Sequence, residues 1–257
     1  MKKVEALVSS QECLLPGIYS LTVSSAELSS LARPGQFVNF YLPGGSHLLP
    51  RPISICEILK GEGLRFVYRI AGEGTKELSL LTKGEKVSLS TPLGNGFPLE
   101  GVYGKRVLLV GGGIGVPPMV ETAKALKELG AFPVSVMGYR DQSFLLSELS
   151  ACGEVCVATE DGSEGVKGTV VDAMMEGNLT ADLLFACGPK PMLRAVASYA
   201  KENAIPCYVS TEERMACGVG ACLACVCETT KEDHHFHTKS ARVCKDGPVF
   251  SSEEVVL

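Results

Sequence analysis

From Val4 to about Leu99 the apolar residues fall in short runs separated by Gly and Pro: Val4–Val8, Ile18–Val23, Phe37–Leu42, Ile53–Ile58, Leu64–Ile70 and Val87–Ser90. In the fifth run Leu64, Phe66, Tyr68 and Ile70 alternate with Arg65, Val67 and Arg69, the period of a strand with one packed face and an opposite face carrying two arginines. Runs of this length between turn formers predict an antiparallel β-barrel or sandwich. The turn-rich stretch Thr91–Pro98 ends that pattern. Beyond it the rhythm becomes strand, helix, strand: Val107–Val110, a helix over Pro118–Leu129, Val134–Gly138, then the run Phe144–Leu149. Strands at Val155–Thr159, Leu183–Ala186 and Cys207–Ser210 follow, with helices near Val170–Met175 and Pro191–Asn203. Met119, Ala123, Leu126 and Leu129 recur at helical spacing and are expected to face a sheet. Such alternation predicts a doubly wound parallel sheet. Regular periodicity stops after Thr211, so the expected organisation is a barrel over residues 1–99, an α/β domain over 100–210 and a small C-terminal segment over 211–257.

Composition narrows the class. A chain of 257 residues, 46% hydrophobic and 21% charged, is ordinary for a folded protein of about two domains that needs no disulfide staples. A net charge of −5 without any basic cluster argues against a nucleic-acid partner. The N-terminus has two lysines but no apolar stretch behind them, and no run reaches the length of a membrane span, so a cytoplasmic protein is expected. In a reducing compartment eleven cysteines point to metal or redox chemistry rather than disulfides.

Five of those cysteines crowd the C-terminal segment. Cys217, Cys222, Cys225 and the distant Cys244 give C-x4-C-x2-C and a fourth cysteine, the plant-type spacing of a 2Fe-2S cluster. Gly218, Gly220, Ala221 and Ala224 between the ligands would let the loop wrap tightly and aim backbone N–H groups at sulfur. The competing reading is a four-cysteine zinc site in a non-enzymatic adaptor, but zinc usually takes two separated C-x2-C pairs. Cys227 is left over and reads as a small buried hydrophobe. His234, His235 and His237 sit in a polar insert and read as a solvated loop rather than ligands.

A second signal is Gly111, Gly112, Gly113 and Gly115 between a strand and a helix that opens at Pro117-Pro118. There glycines let a pyrophosphate approach the backbone and the helix start supplies N–H groups, unless the turn merely joins the two elements. Gly138-Tyr139-Arg140, Thr159-Glu160-Asp161-Gly162 and Cys187-Gly188-Pro189 also follow strands, and such loops gather into one crevice. Cys187 would sit there near a nicotinamide or be a buried small residue; Glu160 and Asp161 would contact ribose hydroxyls, an acidic group there favouring NAD over NADP, or merely serve the turn. The third signal is Arg51-Pro52-Ile53-Ser54 with Tyr68-Arg69-Ile70 and Gly74-Thr75, a guanidinium, a hydroxyl and a glycine turn able to cradle a flavin nucleotide.

The order R-P-I-S, G-G-G-I-G-V-P-P-M, C-G-P-K-P-M, E-E-R-M-A-C-G-V-G-A-C-L-A-C-V-C and V-C-K-D-G-P-V-F resembles the electron-transfer subunits of class 1B dihydroorotate dehydrogenases, in the ferredoxin reductase superfamily. The resemblance runs from about Glu5 to Val256, and Ile53 stands where many members of the superfamily carry an aromatic residue, so flavin stacking must differ. It implies FAD held by Arg51–Ser54, Tyr68–Ile70, Gly74 and Thr75, NAD in the parallel-sheet domain, and iron on Cys217, Cys222, Cys225 and Cys244. It also implies an FMN-containing catalytic subunit as partner, two copies of each, in pyrimidine biosynthesis. A flavin between a one-electron cluster and a two-electron nicotinamide is chemically sensible. The alternative on the same scaffold is an NAD(P)H-linked ferredoxin reductase, or a hydrogenase- or sulfide-linked diaphorase subunit.

Overall fold

The computed structural model describes residues 2–42, 48–232 and 237–257. All six apolar runs of the first segment are strands: β1 (Lys3–Leu15), β2 (Ile18–Ser24), β3 (Phe37–Tyr41), β4 (Arg51–Leu59), β5 (Gly63–Arg69) and β6 (Lys86–Ser90). They close into a barrel in the order β1-β2-β5-β4-β3-β6. The β2–β5 register sets Leu21 opposite Phe66 and Val23 opposite Leu64. These side chains fill the interior with Phe40, which meets Phe66 edge-on at 4.9 Å. A short helix, α1 (Ala26–Leu31), follows β2, and a second, α2 (Glu73–Leu78), follows β5.

The next segment contains β7 (Arg106–Gly112), α3 (Pro117–Glu128), β8 (Phe132–Tyr139), α4 (Leu146–Ser150), β9 (Glu154–Thr159), β10 (Val166–Lys167), α5 (Val170–Glu176), β11 (Leu183–Cys187), α6 (Lys190–Glu202) and β12 (Cys207–Ser210). These strands lie parallel in the order β10-β9-β8-β7-β11-β12. Side chains alternate along each strand, so Val107 and Leu109 meet α3 and α4 while Leu108 and Val110 meet α5 and α6. Pro117 and Pro118 occupy the first turn of α3, where an N–H has no helical partner to lose. Met119, Ala123 and Leu126 are buried as expected. Leu129 is not: it is the C-cap, past the last turn, and is 46% exposed. The run Phe144–Leu149 leads into α4.

The C-terminal segment is more ordered than its composition suggests. A hairpin of β13 (Val226–Glu228) and β14 (Ser240–Arg242) is followed by β15 (Val249–Ser251), which pairs antiparallel with β12 and adds a seventh strand to the sheet. The expected parallel sheet is therefore parallel in all but this edge strand.

The face of β5 turned away from the barrel interior is not simply solvated. Val67, with Cys56 of β4, packs against Met119, Val120 and Ala123 of α3. Beside this apolar contact Glu57 accepts from both Arg65 and Lys124, Arg65 reaches Glu148 at 3.0 Å, and Glu121 accepts from the Ile58 N–H at 2.7 Å. Burial alone would raise the Glu57 carboxyl, but the hydrogen bonds and charges of Lys124 and Arg65 outweigh it and hold its pKa below the ordinary value. A carboxyl depressed in the folded state stabilises the fold above its unfolded pKa and loses that contribution as pH falls through the folded value. We expect Glu57→Gln to lower unfolding free energy by about 2–3 kcal/mol near neutral pH, because Lys124 loses its carboxylate and Arg65 keeps only Glu148. Denaturant titrations should also show a flatter acid limb than wild type; an unchanged acid limb would assign that pH dependence to other groups.

Candidate functional site

The sheet order creates the first half of the site. From β7 the chain steps outward through β8 and β9, then returns to the other side of β7 with β11, so the direction of winding reverses between β7 and β11. A crevice opens beyond the carboxyl ends of strands at such a switch. Here its two lips are Gly111–Gly115 and Cys187–Pro189, with Cys187 in register with Gly111 on one side and Ser210 on the other. The lips touch so closely that a Cβ on Gly115 would lie 2.2 Å from the Cys187 carbonyl oxygen. The Cys187 thiol is buried, and burial pushes its pKa up to about 12, so it is a neutral group. Asp161 lies at the end of β9 and accepts from the Ser163 N–H at 2.9 Å and hydroxyl at 2.6 Å, closing its own exposed turn. Gly111, Gly112, Gly113, Gly115 and Cys187 are thus brought together, and Asp161 stands two strands away.

The second half faces the barrel. Pro52, Ile53, Ser54, Tyr68, Arg69 and Thr75 line a cleft of about 270 Å³ whose opposite wall includes Ile114, Thr211, Glu212, Met215 and Pro248. The Tyr68 ring is packed in the barrel core, its hydroxyl accepting from Gln11 at 2.8 Å. Glu212 stands across from Arg69; the surrounding protein raises its pKa and the guanidinium opposes that rise. The Thr75 hydroxyl accepts from the N–H groups of Ala71 at 2.8 Å and Gly72 at 3.2 Å, fixing the turn that carries Gly74. The Arg51 guanidinium lies directly over Gly74: a Cβ there would sit 2.2 Å from its Nε. A cationic group held over a glycine turn beside a hydroxyl-lined cleft fits a nucleotide phosphate. A larger hollow of about 980 Å³, between Asn95, Tyr208 and Glu254, holds none of the sequence-predicted site residues.

The cysteine loop begins two residues after Met215, which lines the cleft beside Ser54 and Thr75. The N–H groups of Val219 and Cys222 both donate to the Cys217 sulfur at 3.4 Å, and the Cys244 N–H donates to the Cys225 sulfur at 3.4 Å. Desolvation would raise the Cys217 thiol, but these N–H groups and that of Ala221 bring it down to about 6. Burial and the neighbouring Cys225 push Cys244 up to about 12. Cys217 interacts most directly with Cys222 and Cys244 with Cys225, and the charge of Cys217 also reaches Cys244, so the four thiols neighbour one another. Among the described residues no three Cys, His, Asp or Glu side chains converge on one metal position. Three cysteines on one tight loop with backbone N–H groups aimed at sulfur suit an iron-sulfur cluster better than zinc, which usually takes two separated C-x2-C pairs. The Arg242 guanidinium, gripped by Asp246 at 2.8 and 2.9 Å, donates to the Gly220 carbonyl at 3.4 Å and braces the loop. Cys227 is buried, its thiol 3.5 Å from the Ala241 carbonyl, as a non-ligand would be. His237 is exposed, and His234 and His235 lie outside the described residues.

Residues 212–256 match the family described as the iron-sulfur cluster binding domain of dihydroorotate dehydrogenase B. Over 97% of both chains, this one is 46% identical to the dihydroorotate dehydrogenase B (NAD(+)) electron transfer subunit of Bacillus caldolyticus. The chain belongs to that family of electron transfer subunits. The subunit of Bacillus velezensis is 40% identical over the whole of both chains. Among solved structures, a chain of an NADH-dependent reduced ferredoxin-NADP oxidoreductase is 32% identical, with a TM-score of 0.88 over 98% of this chain and 89% of that one. A ferredoxin NADP+ reductase from Neisseria gonorrhoeae shares the fold at 16% identity and TM-score 0.67, over 83% and 95% of the two chains. As an electron transfer subunit the chain works with a catalytic partner, and among its described residues no helix is long and apolar enough to cross a membrane.

Sequence reasoning passed over several residues of the site. Phe37, Glu212, Met215 and Pro248 line the cleft, and Asn39 lies against the cysteine loop. A signal existed for Asn39, a lone amide inside the apolar run Phe37–Leu42. Glu212 had none, because an acidic residue in an irregular segment reads as solvated.

Proposed function

We propose that the chain passes electrons from the FMN of a dihydroorotate-oxidising subunit, through a 2Fe-2S cluster and FAD, to NAD+ in cytoplasmic pyrimidine biosynthesis, assembled as two copies of each subunit. The observation that carries this reading is the shared wall: the cysteine segment supplies Met215 and Pro248 to the same cleft that Ser54 and Thr75 line from the barrel, while Ile114 of the glycine turn enters from the sheet. Three separate motifs meet there, as electron transfer between three redox groups requires. In this arrangement the cluster would supply one-electron steps and the flavin the exchange between one and two electrons.

Each protein group then has a task. Arg51, above Gly74, neutralises the FAD pyrophosphate; Pro52, Ile53, Ser54, Tyr68, Arg69, Ile70 and Thr75 form its remaining bed. Ile53 gives an aliphatic rather than an aromatic contact. Gly111, Gly112, Gly113 and Gly115 admit the NAD pyrophosphate, Asp161 at the end of β9 is the acidic group assigned to its ribose, and the neutral Cys187 backs the nicotinamide. Cys217, Cys222, Cys225 and Cys244 hold iron. Because the group that a Gly74 Cβ would strike is the mobile end of Arg51, Gly74→Ala is expected to displace the guanidinium without unfolding the barrel. Losing one charge-assisted contact should weaken FAD binding about tenfold or more, roughly 1.5–3 kcal/mol. Equilibrium dialysis against free FAD checks this, and wild-type retention would remove Arg51 from the phosphate site.

The assignment is tested on the native complex, purified without oxygen and given dihydroorotate and NAD+. NADH formation together with bleaching of flavin and cluster absorbance supports it. The 32% identity to an NADH-dependent reduced ferredoxin-NADP oxidoreductase favours a second reading, a ferredoxin-linked reductase subunit. Cofactors that respond to NADH and ferredoxin but never to dihydroorotate would select that reading.

A further inference from the structure

Strand β3 separates the barrel interior from the cysteine segment. Its alternation sends Val38 and Phe40 into the barrel core and Phe37 to the other side, where it packs in one cluster with Leu93, Cys225, Val243 and Cys244. Phe37 also lines the cleft assigned to FAD. Asn39, two residues on, shares that outer face and is fully buried. Its backbone N–H donates to the Ser90 hydroxyl at 2.9 Å, yet among the described residues neither atom of its side-chain amide has a partner in good hydrogen-bond geometry, the Tyr41 hydroxyl being the polar group beside it. A buried amide left in that state costs about 1–3 kcal/mol, so it calls for a partner that arrives with something else.

The neighbours say what that is. A Cβ on Gly218 would stand 2.4 Å from Asn39 Nδ2, so the amide rests against the backbone immediately after Cys217, where a left-handed φ of +70° and the lack of a side chain make room. Tyr41, next on the same face, has its pKa raised chiefly by burial; a hydrogen bond from the Asn39 amide opposes that rise and the nearby charge of Cys217 adds to it, which sets both groups beside the phenol. Asn39 therefore stands at the Cys217 corner of the loop, and its NH2 carries a second N–H beyond the one shared with Tyr41.

We propose that Asn39 is a positioning residue for the iron-sulfur cluster, its Nδ2–H donating a hydrogen bond to sulfur at the Cys217 corner. The donor comes from the barrel, not from the cysteine segment, so the cluster's electron affinity is tied to the strand that also bears Phe37 on the flavin side. A hydrogen bond to cluster sulfur is stronger in the reduced, more negative state and so favours reduction. The proposal rests on the cluster assignment above.

The test uses the intact complex. Asn39→Leu keeps the size, removes the donor and removes a buried polar group, so it is expected to fold with full iron and FAD. Its cluster should be harder to reduce by about tenfold in the oxidised-to-reduced equilibrium, equivalent to about 59 mV for one electron, in a redox titration followed by electron paramagnetic resonance. Asn39→Asp, with an acceptor and a negative charge in place of the donor, should shift it further the same way. A wild-type measurement covers the case in which a variant loses its cluster. With asparagine labelled by 15N at the side-chain amide, the reduced cluster should show a 15N hyperfine coupling and an exchangeable proton that disappears in D2O. Full iron with an unchanged potential in Asn39→Leu, or no such coupling in wild type, overturns the role of Asn39. Absence of iron from the wild-type complex would instead overturn the cluster assignment itself.

Discussion

Cys222→Ala is expected to reduce dihydroorotate-linked NAD+ reduction to background while NADH still reduces the bound flavin at close to the wild-type rate. Cys222 is the exposed member of the four, so alanine there opens no cavity, and its backbone N–H remains to donate to the Cys217 sulfur. What would be lost is one of the four thiolates proposed to hold the cluster. The glycine crevice and the Arg51–Gly74 cradle lie on other elements and should be untouched. Iron content, visible absorbance and the two activities, measured on the same preparation, separate these effects. Cys227→Ala is the control: a buried thiol outside those four, it should keep its iron. If Cys222→Ala supports full dihydroorotate-linked NAD+ reduction, the route through the cluster is wrong.

Much of this arrangement is legible in the sequence because its signals are local. The alternation Leu64, Phe66, Tyr68 against Arg65, Val67, Arg69 identifies a strand and its inner face, and glycines after Val107–Val110 mark a strand-to-helix turn from backbone sterics alone. The spacing of Cys217, Cys222 and Cys225 needs only loop geometry. Long-range facts are less visible. Val67 reads as part of an outward face, yet it is buried because α3, more than fifty positions later, covers it. Three residues, Val249–Ser251, are too few to show a period, and they become a strand only because β12 offers them a free edge. Leu129 obeys the helical spacing but comes one residue too late to be covered. Glu57, Lys124 and Arg65 each look like ordinary surface charges until the barrel and the sheet are brought together.

Gly115→Ala should be the most damaging single methyl group in the glycine turn, and the reason is the identity of what it would strike. At Gly112 the nearest atom to an added Cβ is the Met192 sulfur at 2.3 Å, part of a flexible side chain that can swing aside. At Gly113 nothing lies within 4 Å, although its φ of +52° makes alanine mildly strained. At Gly115 the obstacles are the Cys187 carbonyl oxygen and carbon at 2.2 and 2.5 Å and the Gly188 Cα at 2.7 Å, all backbone. They are anchored by β11, which is held between β7 and β12, so the lips of the crevice must part. Forcing extra volume into such a contact costs about 1–3 kcal/mol of stability. The same displacement moves the Cys187 loop relative to the first turn of α3, the two features assigned to nicotinamide and pyrophosphate. NAD+ affinity should therefore fall at least about tenfold, a loss of roughly 1.4 kcal/mol or more, whereas FAD and iron contents stay at wild-type levels. Titrating NADH against flavin bleaching gives the affinity and thermal unfolding gives the stability. Equal effects from Gly113→Ala and Gly115→Ala would show that glycine conformation, not the close approach of β7 and β11, governs the turn. Wild-type NADH affinity in Gly115→Ala would place the dinucleotide away from this crevice.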